Sequence, residues 1–188
     1  HRFLRAGIGF GGGCLPKDIR AFQARAAELG AGDALDILAE ADRVNLRARA
    51  LVLDKARQML GDGLDGARVA ILGAAFKPDS DDMRDSPALE IAGRLAAAGA
   101  RVAVTDPQAG AILAEQEREG LEVYDTADEA LRDADLAVLA TEWRQFTSLD
   151  PARAASLMRR ANVIDGRNSL DAGAWKGAGF SYVGMGRR

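Results

Sequence analysis

The single cysteine of the chain, Cys14, directly follows a stretch, residues 7–13, that holds five glycines. Glycine lets the backbone take positive φ and approach a ligand closely, so bare N–H groups can face a sugar or a phosphate. At the start of the helix predicted to follow, unpaired amides and the helix dipole favour thiolate over thiol, and Lys17 adds a nearby cation. Asp18 lies about one helical turn beyond Cys14, where its carboxylate could orient or activate a water. The pattern predicts a reactive Cys14; a buried structural cysteine is the alternative.

The spacing Gly7-x-Gly9-x-x-Gly12 also matches the dinucleotide-binding fingerprint. That fingerprint requires a strand before the glycines and an acidic residue at the end of a second strand about 20 residues later. Only a short stub precedes Gly7, and a helix is predicted after Asp33. We therefore reject a dinucleotide-binding loop at this position.

A second candidate cluster follows the predicted strand Arg68–Leu72. The strand delivers Phe76 and Lys77 to the edge of the sheet, and an aromatic face followed by a cation suits a nucleotide base plus a diphosphate. A core phenylalanine and a solvated lysine are the alternative. Asp85 or Ser86 is expected to cap the next helix. The aspartates of this segment lack the EF-hand spacing, and no metal site is predicted.

Three further residues follow other predicted strands. Arg167, in an Asp-Gly-Arg turn after the strand Asn162–Asp165, would lie at the same sheet edge as Lys77, where two cations could clamp a phosphate. A surface arginine is the alternative. Asp106 could hold a ribose hydroxyl, although a turn or capping role is favoured. Trp143 could line the pocket, but a core position is favoured.

Two helices must position the cysteine loop. The first is predicted from Pro16 to Gly30, because apolar residues recur at steps of three and four and proline suits a first helical turn. The second runs from an N-cap at Asp33 to Leu60 and stops at the glycines that follow. Its length of about 40 Å favours a spacer between domains or a dimer seam. Its apolar stripe is predicted as Ile37, Leu38, Ala41, Val44, Ala48, Leu51, Val52, Ala56 and Met59.

From Ala67 onward short apolar runs alternate with helical stretches. Buried-type strands alternating with helices predict an α/β fold, a doubly wound, mainly parallel Rossmann-like sheet of about six strands. Ligands of such sheets bind outside the carboxyl ends of the strands. Strands are predicted at Arg68–Leu72, Arg101–Thr105, Leu121–Tyr124, Leu136–Ala140, Asn162–Asp165 and Phe180–Val183, and helices at Pro87–Ala98, Ala109–Glu119, Ala127–Asp133 and Pro151–Arg160.

The chain has 188 residues and a formal net charge of -3. We expect residues 1–63 to carry the cysteine loop and central helices, and residues 64–188 to form the Rossmann-like domain. No apolar run is long enough for a membrane helix and no signal peptide opens the chain, so we expect a cytoplasmic protein with no membrane partner. The acidic balance argues against a nucleic-acid partner. One cysteine excludes an internal disulfide, and His1, the only histidine, supplies no base for a cysteine or serine hydrolase.

The chain resembles the UDP-glucose/GDP-mannose dehydrogenase family nearly end to end, in the segments GIGFGGGCLPKD, ILGAAFKPDSDDMRDSPALE, VTDP, ATEW and IDGRNSLD. The resemblance implies oxidation of the C6 alcohol of UDP-glucose to a carboxylate by two hydride transfers to NAD. Cys14 would form a thiohemiacetal and then a thioester, and Asp18 would position or activate the hydrolytic water. A thiolate is a strong nucleophile and a competent leaving group, which agrees with this assignment.

The resemblance also implies binding residues. The central helix, residues 33–60, would form a homodimer. Cys14, Lys17 and Arg84 would approach the NAD. The UDP-sugar substrate would be contacted by Phe3, Arg5, Ile8, Gly9, Phe10, Gly11, Phe76, Lys77 and Arg167.

The resemblance covers only the later part of the family's architecture. We expect a piece cut on its N-terminal side, with the NAD-binding domain and the family's catalytic lysine, asparagine and glutamate outside it, and therefore inactive alone. Two alternatives stay open: a GDP-mannose 6-dehydrogenase, whose cysteine loop is similar, and a non-catalytic nucleotide-sugar-binding or dimerisation module. Members acting on N-acetylated UDP-sugars usually carry histidine before the nucleophile, where this chain has Gly13.

Overall fold

The computed structural model describes residues 6–61 and 63–186. Helix α1, Leu15–Glu28, has Cys14 at its N-cap and a proline in its first turn, where a missing N–H breaks no helical hydrogen bond. Helix α2, Asp36–Leu60, is 25 residues long and ends at Gly61, whose φ of 68° lets the chain leave the helix. The two helices predicted around the cysteine loop are thus both present.

The start of α2 differs from the sequence prediction. Asp33 lies in a four-residue 3-10 helix, Gly32–Leu35, and Leu35 occupies the N-cap position of α2 without a side-chain hydrogen bond. Asp36 instead places a carboxylate in the first turn, where it interacts favourably with the helix dipole. The predicted Asp33 cap is therefore wrong, because the tighter 3-10 turn takes up the residues just before the long helix.

The described residues form six strands, all parallel, in one sheet: β1 (Arg68–Leu72), β2 (Arg101–Thr105), β3 (Leu121–Val123), β4 (Leu136–Leu139), β5 (Asn162–Asp165) and β6 (Ser181–Gly184). Their order is β3-β2-β1-β4-β5-β6, the order of a doubly wound Rossmann-like fold, whose ligand crevice opens at the carboxyl ends where the order reverses. Leu72, which ends β1, lies opposite Thr105 and Leu139. The loops after β1, β2 and β4 therefore share one edge, and the predicted fold is confirmed.

Six further helices connect the strands of the described chain: α3 (Pro87–Ala97), α4 (Gly110–Glu115), α5 (Ala127–Leu131), α6 (Arg144–Thr147), α7 (Pro151–Leu157) and α8 (Ala172–Gly177). Three of the predicted helices, Ala109–Glu119, Ala127–Asp133 and Pro151–Arg160, extend beyond the ends of α4, α5 and α7. Backbone φ angles of 42° at Glu117 and 57° at Asp133 lie in the left-handed region, which a right-handed helix cannot contain. The sequence prediction contained neither α6 nor α8, which are short.

The core lies on both faces of the sheet. Val69 and Ile71 of β1 face a cluster that includes residues of α2 and α3, whereas Ala70 and Leu72 face a second cluster on the other side. The alternation is that of a strand buried on both faces. On α2 the buried face is Asn45, Arg49, Val52, Leu53, Ala56 and Leu60.

The predicted apolar stripe of α2 is therefore only partly buried. Val52 and Ala56 are inside, but Ile37, Val44 and Leu51 are 76%, 51% and 42% exposed. The predicted stripe combines apolar residues from two faces of α2. A helix that packs on one side buries only one of these faces.

Candidate active site

The glycine-rich stretch, residues 7–13, crosses the carboxyl edge of the sheet and is attached at two places. The N–H of Ile8 donates to the carbonyl of Gly166, just after β5, over 3.0 Å, and the Ile8 side chain is buried in the core. The N–H of Gly12 donates to the carbonyl of Arg84, in the segment between β1 and α3, over 3.0 Å. The stretch therefore joins the two loops in which the sequence predicted binding residues.

Two glycines of this stretch adopt a backbone that other residues rarely take. Gly9 has φ 99° and Gly12 has φ 93°. A Cβ at Gly9 would overlap the Asn45 side-chain oxygen, and one at Gly12 would lie 2.9 Å from the Phe76 ring. Conformation and close packing therefore both require glycine here.

Cys14 is exposed and stands at the N-cap of α1. Its carbonyl accepts the N–H of Asp18 over 2.8 Å, so the two proposed catalytic residues are one helical turn apart. The Lys17 ammonium lies 2.8 Å from the Asp18 carboxylate, and both side chains are exposed. The pKa of Lys17 is raised, mainly by its hydrogen bond to Asp18 and by the charge of Asp18, and further by Cys14. The Lys17 ammonium is therefore paired with Asp18.

Arg84 lies against the glycine stretch beside Cys14. A Cβ at Gly13 would overlap its guanidinium, and Cys14 contributes to raising the pKa of Arg84, after the larger effects of the hydrogen bond and charge of Asp82. Two parallel hydrogen bonds, Nε–Oδ1 of 2.9 Å and Nη2–Oδ2 of 2.8 Å, join Arg84 to Asp82. The Arg84 side chain is 74% exposed, so a guanidinium paired with Asp82 lies at the surface next to Cys14.

Removal of the Arg84 guanidinium should change the titration of Asp82. Hydrogen bonds from Arg84 lower the pKa of Asp82 from 3.8 to about 2. Because the folded-state pKa is depressed, the pair stabilises the fold above the unfolded value and loses that effect as the pH falls through about 2. In Arg84→Ala we expect the pKa of Asp82 to rise toward 3.8, measured from the carboxyl carbon shift by NMR.

Arg20→Ala is the control for this titration, because Arg20 pairs with Asp85 and not with Asp82. An Asp82 carboxyl that titrates in Arg84→Ala as it does in the unchanged chain would contradict the assignment.

Phe76 and Lys77 come after β1, as the sequence predicted. The Phe76 ring is half-buried against Gly12, and its N–H donates to the carbonyl of Asp82 over 3.1 Å. The exposed Lys77 ammonium lies 5.4 Å from the centroid of the Phe76 ring, within the range of a cation–π contact. The structure thus brings the aromatic residue onto the cysteine loop, with its cation beside it.

Arg167 lies at the other attachment of the loop. A Cβ at Gly7 would be 3.5 Å from its Nη1 atom, so the arginine packs against the glycine stretch. Its guanidinium pairs with Glu142 through an Nε–Oε2 bond of 2.7 Å and an Nη2–Oε1 bond of 3.3 Å. A clamp on phosphate by Arg167 and Lys77 stays a prediction, and in this structure Arg167 engages a carboxylate.

Asp106 and Trp143 belong to the core of the sheet edge. Asp106 is 5% exposed and Trp143 is 3% exposed. The Asp106 carboxylate accepts hydrogen bonds from the backbone N–H groups of Ala74, Ala75, Gln108 and Ala109 and from Nε1 of Trp143. With its oxygens used in this way, Asp106 holds the loop after β1, and the turn and core interpretations of both residues are confirmed.

Neither of the two expected caps of α3 acts as one. Ser86 does occupy the N-cap position, but its side chain makes no capping hydrogen bond; its hydroxyl donates to the carbonyl of Ala74 over 2.6 Å. The Asp85 carboxylate lies 2.9 Å from Arg20 of α1. Both side chains fix the segment before α3 to other parts of the site.

Two buried polar residues of α2 were missed from the sequence. The side-chain oxygen of Asn45 accepts the N–H of Phe10 over 2.7 Å, and its amide donates to the carbonyl of Phe10 over 3.1 Å. Arg49 donates to the same carbonyl over 2.7 Å and also pairs with Glu90 of α3. Asn45 and Arg49 are four residues apart and lie on the buried face of α2. Two polar residues at helical spacing within an apolar pattern are the sequence feature that could have indicated their role.

Two predicted substrate residues, Phe3 and Arg5, lie outside the described residues. Within residues 6–61 and 63–186, no group of three or more His, Cys, Asp or Glu side chains could hold a metal ion. No helix in the same ranges has the length and apolar character needed to cross a membrane.

The fold and this loop place the chain among doubly wound α/β proteins that bind a ligand at the carboxyl edge of the sheet, here with a cysteine beside that edge. The UDP binding domain of the UDP-glucose/GDP-mannose dehydrogenase family matches residues 70–172, and the central domain of the same family matches residues 1–47. The chain belongs to this family.

Individual relatives agree with this assignment. UDP-glucose 6-dehydrogenase YwqF of Bacillus subtilis (strain 168) is 35% identical over 187 residues, which are 100% of this chain and 42% of the relative. The structure of a UDP-glucose dehydrogenase from the archaeon Pyrobaculum islandicum has a TM-score of 0.80 at 32% identity, covering 96% of this chain and 38% of that chain. The structure of NDP-N-acetyl-D-galactosaminuronic acid dehydrogenase from Methanosarcina mazei Go1 has a TM-score of 0.81 at 33% identity, covering 97% of this chain and 39% of that chain. The chain spans about two fifths of the length of these relatives.

Proposed function

We propose that this chain supplies the nucleophile and the nucleotide-sugar site of an NAD-dependent UDP-glucose 6-dehydrogenase. Residues 1–63 would provide the cysteine loop and central helices, and residues 64–188 the UDP-sugar domain. The observation that carries the proposal is the exposed Cys14 at the N-cap of α1, at the end of a stretch bonded to the loops after β1 and β5. Relatives named for this activity support it.

Cys14 would act as a covalent catalyst once the C6 alcohol has become an aldehyde. The thiolate attacks the aldehyde carbon, a C–S bond forms, and the carbonyl oxygen takes a proton to give a thiohemiacetal. Loss of the C6 hydride and of the hydroxyl proton leaves a thioester. Water then attacks the thioester carbon, the C–S bond breaks, and the carboxylate product leaves with the thiolate restored. Covalent attachment retains the aldehyde between the two oxidations.

Asp18 is proposed to position the water that hydrolyses the thioester. It stands one turn from Cys14, with its carboxylate exposed and 2.8 Å from the Lys17 ammonium. That carboxylate can accept a hydrogen bond from water.

The cations beside Cys14 suit the diphosphate of NAD. The Lys17 and Arg84 side chains are 70% and 74% exposed, and an arginine fork can bind a phosphate through two parallel hydrogen bonds. When bound, NAD would accept the hydride in each of the two oxidations. Arg84 and Lys17 would hold it next to the sulfur, with Asp82 releasing Arg84 for the phosphate.

The substrate would lie along the glycine stretch. The segment from Ile8 to Gly11 would face the sugar, Phe76 and Lys77 would meet the uracil ring and the diphosphate, and Arg167 would contribute its cation at the β5 end. Phe76 packs on Gly12 and Arg167 on Gly7, so ligand contacts at both ends are joined by the same loop. Phe3 and Arg5 are kept as proposed substrate residues on the resemblance alone.

Calorimetric titration of the 188-residue chain with UDP-glucose and with GDP-mannose tests the proposal. We expect UDP-glucose to bind at least about tenfold more tightly, a difference of about 1.4 kcal/mol. Preferential binding of GDP-mannose would favour the mannose branch, and no binding of either would remove the proposed function. We also expect no NADH from the chain alone with UDP-glucose and NAD.

We propose in addition a cytoplasmic homodimer through α2. Ile37, Val44 and Leu51 of this helix are exposed, and a second copy of the chain would cover them. Exposed apolar side chains grouped on one element mark protein interfaces more often than isolated ones do. A chain that sediments as a monomer at micromolar concentration would contradict the dimer.

A further inference from the structure

The central helix holds the Phe10 backbone with two buried polar side chains, and one of them is a charge. Asn45 and Arg49 are 4% and 2% exposed. Arg49 pairs with Glu90, which also pairs with Arg94, and the Arg49 Nε has no hydrogen-bond partner among the described residues. Burying a guanidinium with one N–H unsatisfied is costly, and an apolar side chain at such a position often packs as well or better. The arginine therefore contributes something other than core packing.

The geometry of the Phe10–Gly11 peptide shows what Arg49 contributes. The Phe10 carbonyl points at α2, where it accepts from both Asn45 and Arg49. No peptide bond of the described chain is cis, and the C=O and N–H of a trans peptide point in opposite directions. The Gly11 N–H therefore points away from α2. Within the part of the chain that the structure describes it has no acceptor, which leaves it available to a ligand on the side of the loop opposite the helix.

We propose that Arg49, together with Asn45, is a positioning pair that fixes the Phe10–Gly11 peptide. The pair presents the Gly11 N–H as a hydrogen-bond donor to the nucleotide-sugar. It also keeps Gly12 packed against Phe76 and Gly13 packed against Arg84. Neither Asn45 nor Arg49 touches the ligand in this arrangement. The identity of the ligand rests on the proposed function; the effect on the cysteine does not.

The path from Arg49 to the nucleophile is short and continuous. Phe10 is held by α2, Gly12 donates to the Arg84 carbonyl, and Gly13 packs on the Arg84 guanidinium next to Cys14. Release of Phe10 would loosen the residues that keep the Arg84 cation near the sulfur. A neutral alkylating reagent should then react with Cys14 more slowly, because the guanidinium that lies beside the sulfur would no longer be held there.

The test compares Arg49→Met with Arg47→Met in the 188-residue chain. Arg47 is on the same helix, but its side chain is 68% exposed and pairs with Glu40. The control therefore removes an equal charge that does not contact the Phe10–Gly11 peptide. At a temperature where both variants are folded, we expect Arg49→Met to bind UDP-glucose about tenfold more weakly, the effect of losing one well-placed hydrogen bond. Iodoacetamide should alkylate Cys14 at least about threefold more slowly. Arg47→Met should match the unchanged chain in both.

A purely structural role for Arg49 would lower the melting temperature and leave the ligand affinity and the Cys14 alkylation rate of the folded chain unchanged; that result would overturn the proposal. If Arg49→Met does not fold, the proposal is tested with Asn45→Ser instead. Serine is too short to reach Phe10 with both hydrogen bonds, and we expect faster amide exchange at Phe10 together with slower alkylation. Unchanged exchange and alkylation in Asn45→Ser would also overturn the proposal. Failure of the unchanged chain to bind UDP-glucose would refute the proposed function. The alkylation and amide exchange rates would still test whether Asn45 and Arg49 position the Phe10–Gly11 peptide.

Discussion

Cys14→Ala is expected to lower the rate of UDP-glucuronate formation by the complete gene product at least about 10³-fold, while the affinity for UDP-glucose changes less than about threefold. The reason is that alanine removes the group that forms the C–S bond, and Cys14 is the single cysteine of the 188 residues. The binding contacts proposed for the substrate lie on the glycine stretch and after β1 and β5, which the substitution leaves in place. Steady-state kinetics and calorimetric titration measure the two effects separately.

Cys14→Ser is the matched variant for this experiment. A serine hydroxyl has nearly the same size but is far less ionised at neutral pH, so the rate should fall nearly as much as in the alanine variant. Either variant retaining more than about a tenth of the rate would rule out covalent catalysis by Cys14. A complete gene product without dehydrogenase activity that binds UDP-glucose equally well before and after the substitution would instead favour a non-catalytic binding module.

The sheet could be predicted from the sequence because each central strand is buried on both faces. Runs such as Arg68–Leu72 and Arg101–Thr105 are short, apolar and bounded by turn residues, and their predicted limits are those of β1 and β2. Helix ends were less predictable. Glu117 and Asp133 adopt positive φ, which their residue types alone do not predict. The surrounding chain, and not local propensity, sets their conformation.

The cysteine loop could be predicted because its chemistry is local in sequence. Glycines, the cysteine, and the first helical turn follow one another within residues 7–18. The residues that hold this loop are distant in sequence: Asn45 contacts Phe10 across 35 positions and Arg49 across 39. Such pairs depend on which face of α2 meets the sheet, and the apolar residues of α2 occupy more than one face. Their roles could be read only from the folded chain.

Gly11→Ala is expected to weaken UDP-glucose binding at least about tenfold and to lower the free energy of unfolding by roughly 1–3 kcal/mol. A Cβ at Gly11 would overlap the backbone carbonyl oxygen of Asp85 and lie 2.6 Å from Cδ of Pro87. Neither neighbour can rotate away, since Asp85 is held at φ 50° and Pro87 begins α3. The loop itself must move, and with it the peptide that α2 holds. Calorimetric titration and urea denaturation of the 188-residue chain measure both effects.

Gly93→Ala makes the same chemical change in the middle of α3, where a Cβ would meet nothing within 4 Å. There the gain in helix propensity should leave the free energy of unfolding unchanged or raise it by about 1 kcal/mol, with UDP-glucose affinity unaltered. If Gly11→Ala behaved like this control, the glycine stretch would not be packed against the segment before α3. Its glycines would then serve only flexibility, because an added methyl group can be tolerated only where the loop is free to move aside.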